Sequence, residues 1–174
     1  MSKSVIEFQT VGWNELEANF DGGREIVLGG MNRMLRRIGQ LLVPALKKNT
    51  PTGATNRLRN YTTSEIIGKS EDMRLEIRQS ARSKKEFPYG EAVRQGARPH
   101  FPPYEELTPW VKRKMDVDAI NAPRVAFLVA RKISMVGTKK NPYHVKTVEG
   151  IMSNMRSIVN EEFTKVTSDL ATLK

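Results

Sequence analysis

His100 and His144 are the only imidazoles in the 174-residue chain, and neither stands in the HxxxH or HExxH spacing that brings two ligands to one helix face. A general base needs a group that orients it. No carboxylate accompanies His100 in the run GARPHFPP, so it reads as a contact or hydrogen-bonding residue rather than a base. Asp116 and Asp118, two apart in MDVDAINAP, can in principle hold a cation as in a nuclease, but the run reads more simply as a helix terminus. The glycine pairs DGG and LGG lack the lysine and spacing of a phosphate-binding loop, and no serine sits in a GxSxG elbow. The absence of cysteine excludes disulfides, thiolate zinc sites and cysteine nucleophiles. The residues therefore point away from an enzyme, and no catalytic, metal-binding or cofactor-binding residue is assigned.

Charge carries a stronger signal. The formal net charge is +10, and the segment from Arg78 to Lys146 holds 15 Lys/Arg against 6 Asp/Glu, so nearly all of the excess lies there. Lys112, Arg113 and Lys114 cluster at one predicted helix end, while Arg124 and Arg131 are seven apart and share a helix face. Lys132, Lys139 and Lys140 follow closely. Such a surface suits a phosphate polymer or an acidic protein. Phe101, Tyr104 and Trp110 interleave aromatics with the cations, as single-strand stacking requires, yet Trp110 keeps helical spacing with Leu107 and Val111 and so reads as a core or interface residue. One reading is thus a non-specific nucleic-acid-binding protein or small nuclease that uses the basic 112–140 segment. No recognition motif accompanies it, which limits that reading to backbone contacts.

The elements that must position these residues read as α+β. SVIEFQTVGW alternates in part as an opening strand, and Trp13–Phe20 makes a short helix closed by DGG. A long helix is expected over 24–48, with Met31, Met34, Leu35, Ile38, Leu41 and Leu42 as its apolar stripe and Pro44 loosening its last turns. After the breaker NTPTGATN, the run RLRNYTTSEIIGKSEDMRLEIRQSA predicts two strands joined by GKSED, with Leu75 and Ile77 on a packed face and charges on a wet one. KKEFPYGEAVRQG is read as a third strand of the meander, its Pro88 marking an edge. Helices follow at 104–115, at 123–136 with Val125, Leu128, Val129, Ile133 and Val136 as the apolar side, and at 148–173 with Ile151, Met155, Ile158, Val159, Phe163, Val166 and Leu170. The expected architecture is one α+β domain over 1–174. In it a long N-terminal helix packs on a small antiparallel sheet, and C-terminal helices follow, with 148–174 free to project. No run approaches the ~18 apolar residues of a membrane span. The start lacks a signal-peptide core, and synthesis inside a cell is the expectation.

Three segments in order carry a family likeness: TPTGATNRLRN, then YGEAVRQGARPHFPPYEELTPWVKRKM, then VAFLVARKISMVGTKKNPY. Spanning roughly residues 45 to 147, they resemble the neck and tail-completion (head–tail joining) proteins of tailed bacteriophages. The resemblance implies a structural virion protein at the head–tail junction, made in the host cytoplasm, with no cofactor and no membrane association. It implies a homo-oligomeric ring, six-fold or twelve-fold, around the channel through which genomic DNA passes without sequence recognition. The neighbouring partners would be head-closure and tail-terminator or tail-tube proteins. On this likeness Gly96, Arg98, Pro99, His100, Phe101, Trp110, Asn141 and Tyr143 are expected at inter-subunit or inter-ring contacts. Lys112, Arg113, Lys114, Arg124, Arg131, Lys132, Lys139 and Lys140 are expected to face the DNA channel or an acidic partner.

Overall fold

The computed structural model describes residues 5–8, 23–53, 56–81 and 89–172. The expected opening helix at 13–20 lies outside them, as does most of the opening strand beyond its core. The fold is α+β. In chain order it contains β1 (Val5–Phe8), α1 (Arg24–Asn49), the single turn α2 (Arg57–Asn60), β2 (Thr62–Ile67), β3 (Arg74–Gln79), α3 (Tyr89–Gln95), α4 (Tyr104–Met115), α5 (Ala122–Val136) and α6 (Tyr143–Ala171). Contacts gather the chain into two compact units. One comprises Met1–Asn49, Thr62–Gln79 and His144–Lys174, and the other Thr50–Tyr61 and Ser80–Tyr143.

The first unit is built on α1. Its apolar residues recur every three or four positions, so Val27, Met31, Met34, Leu35, Ile38, Leu42 and Leu46 all fall on one stripe and all are buried. Leu75 and Ile77 of the sheet, and Met155, Val166 and Leu170 of α6, complete that core. Two glycines set the approach distances. A Cβ on Gly39 would lie 3.2 Å from Ser64 Oγ and 3.3 Å from Leu75 Cδ1, and one on Gly30 only 2.2 Å from Val166 Cγ2. α1 therefore meets the sheet at one glycine and α6 at the other, and the last helix packs along α1 instead of projecting. Glu162 of α6 is buried where it accepts hydrogen bonds from Arg33 Nε at 3.1 Å and Arg37 Nη1 at 2.9 Å. The exposed Glu161 takes a second bond from Arg37, at 2.6 Å. α1 runs through Pro44 without a break. Gln40, whose carbonyl loses its donor there, is exposed, so water can serve it.

The sheet is three-stranded and antiparallel in the order β1-β3-β2. The meander therefore differs from expectation, because the N-terminal strand supplies the third member. β3 buries Leu75 and Ile77 on the α1 side, as the alternation predicts, but Glu76 on the opposite face is buried too. Glu76 stands directly across from Glu65 on β2, a like-charge pairing that opposes strand association. Arg78 relieves it by gripping Glu76 with two bonds of 2.9 Å while reaching Glu65 at 3.0 Å.

The second unit is helical, and here two expectations are corrected. YGEAVRQ is α3, not a strand. Glu91 pairs with Arg94 one turn on, at 2.6 Å, and also with Gln95, interactions that only helical spacing permits. Buried Gly90 lies against Leu58, where a Cβ would sit 2.9 Å from the leucine methyl. A proline just ahead of Tyr89 is equally a helix-start signal. RLRN is likewise a helical turn, not the start of a strand. α4 and α5 pack through Val111, Ala122 and Ala126, with Leu107, Trp110, Val125 and Val129 around them. The buried line of α5 is Ala122, Ala126 and Ala130, so Leu128 and Val136, expected on the apolar inner side, are exposed.

Candidate functional site

Two loops of the second unit that are far apart in sequence are joined. Ala97 and Thr138 form an isolated antiparallel bridge. The Thr138 N–H donates to Ala97 O at 2.9 Å, and the Ala97 N–H donates to Thr138 O at 3.3 Å and Oγ1 at 2.8 Å. The Asn141 N–H donates to Val93 O at 3.2 Å. The GARPHFPP and GTKKNPY segments are thus one paired structure rooted at the ends of α3 and α5.

Glycine is required at both entrances. Gly96 has φ +80°, and a Cβ there would meet Thr138 O at 2.5 Å and Lys140 N at 3.0 Å. Gly137 has φ +69° and ψ −159°, a region open essentially to glycine alone, and its Cβ would meet Ala97 O at 2.2 Å. Beyond the bridge the first loop carries Arg98, Pro99, His100 and Phe101, all exposed, before Pro103 leads into α4. His100 Nδ1 lies 2.8 Å from Arg98 O, a local backbone contact. Phe101 packs edge-on against Phe127 of α5 with ring centroids 5.8 Å apart, and Tyr104 meets the same ring at 5.8 Å. The loop is tied down at its root by glycine-permitted hydrogen bonds and at its far end by an aromatic cluster.

The candidate contact residues separate accordingly. Arg98, Pro99, His100, Phe101 and Asn141 are exposed on the paired loops, and Gly96 shapes them. Trp110 is partly buried against the α4–α5 core, in keeping with its helical spacing. Tyr143 is only 3% exposed, so its ring is packed inside the chain and is not available to another subunit. Tyr143 is the first residue of α6, and its ring anchors that helix start instead of facing outward.

All eight candidate cations, Lys112, Arg113, Lys114, Arg124, Arg131, Lys132, Lys139 and Lys140, are exposed. Arg124 and Arg131 share one line of α5 as their spacing predicts. Leu128 and Val136, expected to face inward, and Phe127 and Met135, given no role from the sequence, lie on the same side of the helix: Phe127, Leu128, Met135 and Val136 are 45%, 53%, 63% and 69% exposed. The signal was present in the alanines at 122, 126 and 130, whose four-residue spacing marks a close helix contact and places the large side chains outside.

Asp118 does not join Asp116 in a cation site. One oxygen accepts the backbone N–H groups of Ile120 and Asn121, both at 2.9 Å, and the other accepts Asn121 Nδ2 at 2.8 Å. Those bonds from Asn121, side chain first and then backbone, hold its carboxyl below the usual carboxylate range. Asp116 ends α4 in the left-handed conformation, φ +52°. Among the described residues no three His, Asp or Glu side chains gather where they can hold a metal ion. Comparison with protein-family models, curated proteins and solved structures finds no match for the chain.

Proposed function

We propose that the chain is a structural subunit of a bacteriophage neck, assembling as a homo-oligomeric ring that joins the closed head to the tail and surrounds the DNA exit channel. The observation that carries this reading is the paired loop. The same segments that give the sequence its likeness to neck and tail-completion proteins, GARPHFPP and GTKKNPY, are locked together by the Ala97–Thr138 bridge into one exposed arm. Prolines at 99, 102 and 103 restrict the free arm and so reduce the entropy lost when it docks. Arg98 and His100 at its outer turn are contact residues for a neighbouring subunit or ring, and the chain acts without catalysis, cofactor or metal. A subunit that contacts its neighbour heterologously must close into a ring or polymerise, and closure suits a channel.

The test is deletion of residues 97–103 with a short glycine bridge in the phage that encodes the chain. The variant protein is expected to fold, with unchanged helical circular dichroism. Heads and tails are expected to accumulate unjoined. Infectious, joined particles containing the folded deletion variant would refute the assignment.

A further inference from the structure

The exposed face of α5 is neither a plain basic surface nor a plain apolar one. Arg124, Leu128, Arg131 and Met135 follow one another at spacings of four, three and four, so they form a single line along the middle of that face. Phe127 borders the line on one side, and Lys132 and Val136 border it on the other. All seven are exposed, and α5 contains no acidic residue at all. Among the described residues Arg124, Arg131 and Lys132 have no ion-pair partner, whereas Arg33, Arg37, Arg78 and Arg94 all do. The opposite side of the helix is committed to its alanine contact with α4, so this face cannot turn inward.

We infer that this face is a docking site for an acidic, amphipathic segment of another protein, a helix whose own face interleaves apolar side chains with Asp or Glu. The alternatives fit the chemistry less well. Duplex DNA would satisfy the cations but leave Leu128, Met135 and Val136 against phosphate and water, with no gain from their burial. An anionic bilayer takes up helices whose cations lie on the side opposite the apolar residues or flank them. Here Arg124 and Arg131 alternate with Leu128 and Met135 along one line, so inserting the apolar residues would bury unpaired guanidinium groups with them. A second copy of the same face would set Arg124, Arg131 and Lys132 against their own kind with no acid between them. An acidic amphipathic partner satisfies both halves together. Its carboxylates take paired bonds from the guanidinium forks, and its apolar residues cover Leu128 and Met135. The inference does not depend on the neck reading, because it names the chemistry of a partner and not the assembly in which that partner sits.

The experiment measures binding of the full chain, by fluorescence anisotropy at low salt, to four probes. These are a labelled helical peptide with Leu and Glu alternating along one face, polyglutamate of equal charge, duplex DNA, and vesicles of mixed neutral and anionic phospholipid. The Leu/Glu peptide is expected to bind most tightly. The double variant Leu128→Ser, Met135→Ser is expected to bind it about tenfold more weakly or worse while its binding to DNA is unchanged. Arg124→Gln with Arg131→Gln is expected to weaken peptide and DNA alike. Tighter binding of DNA or vesicles than of the peptide, or equal peptide affinity of the Leu128/Met135 variant, would overturn the proposal. All four substitutions are at exposed positions, and unchanged circular dichroism verifies the fold. Neither outcome bears on whether rings form, which the deletion of 97–103 tests separately.

Discussion

Replacing Gly137 by alanine should open the paired loops while leaving the rest of the chain folded. The residue has φ +69° and ψ −159°, and its added Cβ would stand 2.2 Å from Ala97 O, 3.1 Å from Arg98 C and 3.2 Å from Pro99 N. These are backbone atoms, so no side-chain rotation relieves the contact. Holding alanine in that region of backbone space costs on the order of 1–3 kcal/mol. The escape route is to give up the Ala97–Thr138 bridge, whose hydrogen bonds are each worth about 0.5–1.5 kcal/mol. A local destabilisation of about 2–3 kcal/mol corresponds to roughly a 30- to 150-fold rise in the opening equilibrium. Native-state hydrogen exchange reads it directly. The Ala97 and Thr138 amides should exchange faster by about that factor in Gly137→Ala, while amides in the middle of α1 stay as protected as in the parent. Gly53→Ala is the control, since nothing lies within 4 Å of its added Cβ and its φ is not positive. Unchanged exchange at Ala97 and Thr138 in Gly137→Ala would show that the bridge is not what holds the two loops, and the reasoning from it would fail.

Three further outcomes concern the first unit. Gly30→Ala should destabilise it by about 1–3 kcal/mol, the usual cost of overpacking, because its Cβ would lie 2.2 Å from Val166 Cγ2; adding Val166→Ala should recover part of the loss in a thermal melt, and no recovery would place the strain elsewhere. Gly150→Ala, in the interior of α6 with nothing within 4 Å of the new Cβ, should instead raise stability by about 0.5–1 kcal/mol, measured by urea unfolding. Burial of Glu162 raises its pKa, but hydrogen bonds from Arg37 and Arg33 outweigh that and hold the carboxyl below its ordinary range. Its contribution is therefore complete above the unfolded pKa of about 4.3 and is lost as the pH falls through the lower folded value. Acid unfolding of Glu162→Gln should be less steep below about pH 4 than that of the parent, and identical profiles would remove Glu162 from the account.

The first unit was largely legible because its signals are local and redundant. The α1 stripe from Met31 to Leu42 buries as its period requires, and the alternation around Leu75 and Ile77 placed the core side of β3. The errors arose where short segments have no such redundancy. YGEAVRQ contains one valine and one tyrosine, too few apolar positions to separate a period of 2 from one of 3.6, and its Glu91–Arg94 pairing is informative only once a helix is assumed. On α5 Val125 and Val129 pack against the α4 contact as their spacing suggested, whereas Leu128 and Val136 do not, because close helix packing is served by small residues and the alanines took the seam. At the site, composition revealed that the two loops were unusual but not that they pair. A single bridge between residues 41 positions apart leaves no periodic trace. The glycines at 96 and 137 were visible as exits, and their joint role depends on a partner backbone that sequence does not locate.

The proposed neck ring would lie between head and tail. Its most direct test is electron microscopy of phage particles carrying the chain with a labelled C-terminal extension, averaged about the head–tail axis. A closed ring of label at the head–tail junction is the expected result. Label missing from particles, or found on the capsid shell or at the distal end of the tail, would contradict it.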